Sequence, residues 1–163
     1  MEPLKQDLDA GGWPADHDLL EAQGLRHLGL RLASATGDVL ITLISSHAQL
    51  RGLEDLAQSW VQRWPDVKGV CLNLQPKANN LVLGRTTHCL AGVPTIEEQL
   101  CGIKLSLRST TFVQVNTPQA ERIVQLLTDW LLNQCAGAHV VDAYCGVGTI
   151  TLALAKAGFE VQG

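Results

Sequence analysis

Apolar positions along the chain fall into segments of two different periods. Residues 25–32 and 39–46 are apolar-rich, partly β-branched runs, and Ala35-Thr36-Gly37-Asp38 between them has turn chemistry, so the spacing predicts a β-hairpin. From Gly52 the period becomes helical: Leu53, Leu56, Ala57, Trp60, Val61 and Trp64 form one stripe before Pro65 ends it. That helix is expected to cover a sheet. Residues 67–74, 81–85 and 100–106 read as further strands, broken by Asn79-Asn80, Gly84 and Gly92-Val93-Pro94. The order of strands and helix up to about residue 109 predicts a compact α+β unit.

After residues 112–116, Thr117 is the expected N-cap and Pro118 the first helical residue, since proline has no N–H to leave unpaired. Ile123, Val124, Leu127, Trp130 and Leu131 then recur at helical spacing up to an exit at Ala136-Gly137. A short strand (139–143), a glycine loop (145–148), a helix (149–156) and a second strand (159–162) follow, the opening β-loop-α-β of a parallel nucleotide-type sheet. Residues 1–18 are polar, acidic and turn-rich and show neither period, so a mobile tail is expected there. Phe112, Trp60, Trp64 and Trp130 are expected in the core.

Composition narrows the class. With 163 residues, 46% of them apolar or sulfur-containing and 17% charged, the chain is globular and long enough to bury a core. The net charge of −4 announces no polyanion partner, but its distribution is uneven. Residues 1–22 hold six acids against one base, whereas residues 63–108 hold six bases against three acids. The basic middle permits a phosphate-contacting face, and a few solvated Lys and Arg on a folded surface would give the same count. Cysteines at 71, 89, 101, 135 and 145 and histidines at 17, 27, 47, 88 and 139 have no metal-ligand spacing, so no metal is expected. No apolar run approaches a membrane span, no secretory start is visible, and the thiols read as free, which together predict a cytoplasmic protein.

The candidate chemistry sits in Val140-Val141-Asp142-Ala143-Tyr144-Cys145-Gly146-Val147-Gly148-Thr149, a glycine pair between a strand and a helix N-terminus. Glycine lets the backbone turn sharply and approach a ligand, and unpaired helix N–H groups favour a carboxylate or phosphate. The dinucleotide pattern G-x-G-x-x-G fails because Thr151 stands at the third glycine, which disfavours a dehydrogenase.

The run 142–149, preceded by Thr111-Phe112-Val113-Gln114-Val115-Asn116, resembles the RNA 5-methyluridine (uracil-5) methyltransferase family. Gly24-Leu25-Arg26-His27 and Asn80-Leu81-Val82-Leu83-Gly84 resemble that family's central domain. The resemblance implies a division into an acidic flexible tail (1–23), a central α+β domain (24–110) and the truncated start of an α/β Rossmann-like methyltransferase domain (111–163). It implies S-adenosyl-L-methionine as cofactor and RNA, ribosomal (23S) or transfer, as partner. Gln114 would contact the cofactor, Tyr144 would border it, and Gly146 and Thr149 would belong to the loop that holds it. Thr149 stands where the family often has Asn and would contribute through its backbone. Asp142 would either contact the cofactor indirectly or brace the loop, and Tyr144 would alternatively be a core-edge aromatic.

The family's chemistry adds a cysteine thiolate to uracil C6, lets C5 attack the sulfonium methyl group, and removes the C5 proton with a carboxylate as the cysteine thiolate leaves C6. By the resemblance, that cysteine and that base come from later segments, so no catalytic residue is assigned here, Cys145 included, and the chain alone is expected to be an inactive fragment. The alternative reading is a non-catalytic RNA-binding module using the basic middle segment.

Overall fold

A computed structural model describes residues 2–16 and 24–163, in the element order α1 (Glu2–Gly11), β1 (His27–Leu32), β2 (Val39–Ser45), α2 (Leu53–Arg63), β3 (Val67–Leu74), β4 (Thr86–Gly92), β5 (Thr95–Leu100), β6 (Ile103–Arg108), α3 (Thr117–Cys135), β7 (His139–Val141), α4 (Thr149–Lys156) and β8 (Glu160–Gln162). The chain divides into two compact units, Met1–Ile96 with Leu107–Thr110, and Glu97–Ser106 with Thr111–Gly163.

The first unit is built on a four-stranded sheet in the order β1-β2-β3-β4. Strands β1 and β2 form the antiparallel hairpin that the turn chemistry predicts, Leu28 opposite Leu43 and Leu30 opposite Ile41. Strand β2 runs parallel to β3, with α2 as the crossover, and β3 is antiparallel to β4. The nearly unbroken apolar run of β2 follows from its central place: Leu40, Ile41, Leu43 and Ile44 are all buried. On one side Ile41, Leu43, Val70 and Leu72 pack with Leu53, Ala57 and Trp60 of α2. The two polar residues of β2 are buried and bonded: Thr42 donates its hydroxyl to Ser109 at 2.7 Å and Ser45 donates its own to the Gly24 carbonyl at 2.7 Å.

Four expectations are corrected. Residues 2–11 form a helix where a mobile tail was expected, because Leu4 enters the α2 core and Asp7 accepts a hydrogen bond from the Trp60 indole at 2.8 Å and pairs with Arg63. Met1 and residues 17–23 of that expected tail lie outside the described residues. Residues 81–85 form no strand, and the strand lies just beyond them in β4. Residues 100–106 are not one strand: Cys101 (φ 52°) and Gly102 (φ 69°) make a two-residue left-handed turn between β5 and β6. Finally, Asn116 and not Thr117 caps α3, its side-chain oxygen accepting from the Gln119 N–H at 3.2 Å.

In the second unit the β5–β6 turn is fastened at both of its exposed peptide groups. The Cys101 N–H donates to Glu121 of α3 at 2.7 Å, and Lys156 of α4 donates to the Cys101 carbonyl at 3.1 Å. Strands β7 and β8 are parallel, Val140 opposite Val161, with α4 crossing between them. Ala120, Val124, Leu154 and Phe159 are buried within this unit.

Candidate functional site

The chain leaves β7 through Asp142, whose N–H donates to the Gln162 carbonyl at 2.8 Å and so extends the β7–β8 ladder by one bond. It then turns sharply: the Gly148 N–H donates to the Cys145 carbonyl at 2.8 Å, and Gly146 (φ 56°) and Gly148 (φ 85°) both take the left-handed conformation that side chains resist. Gly148 is the N-cap of α4 and supplies no side chain to cap it. The first intrahelical bond runs from the Leu152 N–H to the Gly148 carbonyl, so the amides of 149–151 have no partner within the helix and carry its positive end.

Asp142 braces this turn. One carboxylate oxygen accepts the Thr151 hydroxyl at 2.7 Å and the other faces the Tyr144 N–H at 3.4 Å. Thr151, the residue that departs from the dinucleotide pattern, therefore anchors the loop carboxylate. The departure is visible in the sequence, but nothing there pairs it with Asp142.

Beside the turn lies a cavity of about 220 Å³. Its lining brings together all five residues singled out from the sequence, Gln114, Asp142, Tyr144, Gly146 and Thr149, although Gln114 is separated from the others by the whole of α3. Phe112, Val113, Ile123, Val124, Val147 and Ile150 supply an apolar wall, and Cys145 also lines it. Gln114 belongs to an irregular exposed segment and not to a strand. Tyr144 is 97% exposed, so it is a rim residue and not a core-edge aromatic. Phe112 (78% exposed) and Trp130 (57%) also fall outside the core expected for them, whereas Trp60 is fully buried. Among the described residues there is no group of side chains able to hold a metal ion, and no helix is long and apolar enough to cross a membrane.

No family model matches the chain. Over its whole length it is 58% identical to a protein of Parasynechococcus marenigrum named as an uncharacterized RNA methyltransferase, and it covers 35% of that protein. It is 41% identical, over 99% of its length, to one of the same designation from Nostoc, covering 36% of it. The chain is thus similar along essentially its whole length to proteins named as RNA methyltransferases. It spans about a third of the length of the curated relatives it matches. Among solved structures, 84% of the chain superposes with a TM-score of 0.65 and 23% identity on 32% of the Pyrococcus abyssi tRNA (uracil-54, C5)-methyltransferase in complex with S-adenosyl-L-homocysteine. At that identity the likeness concerns the mixed α+β fold.

Proposed function

We propose that the chain is part of an S-adenosylmethionine-dependent RNA methyltransferase that forms 5-methyluridine, and that residues 111–163 open its methyl-donor domain while residues 24–110 form its central domain. The observation that carries this reading is the gathering of Gln114, Asp142, Tyr144, Gly146 and Thr149 around one cavity at the uncapped N-terminus of α4. The donor set suits the amino-acid end of the methyl donor. Helix amides attract its carboxylate, the Asp142 carboxylate and the Gln114 amide oxygen suit its ammonium group, and the apolar wall suits the carbon chain and sulfur. When bound, the donor supplies an electrophilic methyl group. Tyr144, on the rim, would limit water access to it.

Cys145 takes no nucleophilic part in this proposal. It lies in the turn that would hold the donor, a position that serves donor binding and not attack on a uracil ring. The thiolate and the base then come from other parts of the whole enzyme, whose substrate is ribosomal or transfer RNA.

Calorimetric titration of the chain with S-adenosylhomocysteine tests the cavity. Binding is expected to weaken at least about tenfold in Gln114→Ala and to be lost in Gly146→Val, where a β-branched residue would have to hold a positive φ. Binding of a nicotinamide dinucleotide in place of the homocysteine nucleoside, or equal affinity in both variants, would overturn the assignment.

A further inference from the structure

The basic middle of the chain gains a location in the segment joining β3 to β4. Residues 76–85 form neither helix nor strand, yet their backbone is held by two buried amide side chains, Asn73 of β3 and Gln75 just beyond its end. Asn73 accepts the Gly84 N–H at 2.7 Å and donates to the Thr86 carbonyl at 3.2 Å. Gln75 accepts the Lys77 N–H at 3.2 Å and donates to the carbonyls of Leu81 (3.0 Å) and Leu83 (3.3 Å). Gly84 passes so close to β3 that a Cβ there would lie 1.8 Å from the Leu74 carbonyl oxygen. Arg26 closes the other side, donating to the Gln75 carbonyl at 2.7 Å. Side-chain amides thus replace a strand ladder, which fixes an irregular loop in one shape before any partner arrives.

What the loop presents is unusual for a solvated turn. Leu81 and Val82 stand at its tip, 65% and 50% exposed. Lys77 and Arg85 flank them and are exposed, and no Asp or Glu occurs anywhere between residues 67 and 96 in a chain whose net charge is −4. A cleft of about 290 Å³ opens between the tip and Arg26-His27, with Asn79 and Asn80 on its wall. Cations can meet phosphates, amides can meet base edges and an exposed aliphatic surface can cover the apolar face of a base, which together match the chemistry a single-stranded RNA presents.

We propose that residues 76–85, with Arg26 and His27, form a preorganised contact for a single-stranded stretch of RNA, Lys77 and Arg85 meeting phosphates and Leu81-Val82 packing on an unstacked base. This inference rests on RNA being the substrate. It assigns that contact to one loop of the first unit.

Anisotropy titrations of the chain with a fluorescein-labelled RNA stem-loop, repeated across a salt series, decide it. Lys77→Ala with Arg85→Ala is expected to flatten the dependence of log affinity on log salt by about 1.4, two phosphate contacts on a single strand. Leu81→Ser with Val82→Ser is expected to weaken stem-loop binding about fivefold, leave the salt slope unchanged, and leave binding to a fully paired duplex as it was. All four side chains are exposed, so circular dichroism should match the parent. If the parent binds the stem-loop and both variants bind equally well, the loop assignment falls while the RNA reading stands. If the parent binds no RNA, both fall.

Discussion

Cys101 sits at φ 52° in a turn where glycine is the comfortable choice, and burial, with the neighbouring Glu121 carboxylate, pushes its thiol above the ordinary value. Its hydrogen bonds to Glu121 and Lys156 use its own backbone, so they survive loss of the side chain. Cys101→Gly is therefore expected to stabilise the chain by about 0.5–1 kcal/mol, read as a higher urea midpoint at constant slope. This residue also shows why residues 100–106 look like one strand: apolar Leu100, Ile103 and Leu105 continue through the turn, and Cys-Gly is not among the usual turn pairs. At the candidate site the individual residues were more legible. Glycines at 146 and 148 and the carboxylate at 142 announce themselves by type and spacing, while the service of Thr151 to Asp142 exists only after the turn has brought them within 2.7 Å.

Among the elements, those that follow their own period are the ones the sequence reveals. The stripe of α2 and the hairpin of β1 and β2 bury faces that their spacing marks out. Strand β4 escapes notice because it is the edge of the sheet and its residues 86–89 are exposed whichever way they point, so no alternation is imposed. Helix α1 escapes for a different reason: much of what holds it is tertiary. A hydrogen bond from Arg63, stronger than the opposing effect of partial burial and aided by the Trp60 indole, holds the Asp7 carboxyl below its ordinary value of 3.8. A depressed carboxylate contributes stability above that value and loses it as pH falls through the folded one. Acid titration followed by proteolysis of α1 should thus show the helix releasing below about pH 4. Asp7→Asn should remove that step and cost about 0.5–1 kcal/mol at neutral pH, the modest value expected of a partly solvated pair.

At the scale of the molecule the two units differ in how well their sheets are protected. The first has four paired strands with a central one buried on both faces. The second holds most of the β5–β6 ribbon and, separately, a parallel pair of three-residue strands, β7 and β8, in which Val141 is exposed. Two short strands with open edges are marginal by themselves. Hydrogen exchange is expected to find the amides of β2 and β3 slowest and those of β7 and β8 exchanging at least about a hundredfold faster. Uniform protection of both would contradict that ranking.

The fastening of the β5–β6 turn has its own consequence for how the protein is made. A hairpin with a two-residue turn closes in about 1–10 µs once its strands exist. Its tip, however, is secured by Glu121 and Lys156, and the latter lies 55 residues further along the chain. At ribosomal speeds of about 5–20 residues per second, the ribbon waits several seconds for its clasp. Glu121 follows the turn by 20 residues and Lys156 by 55, so the clasp from α4 closes on a hairpin whose strands were synthesised seconds before it.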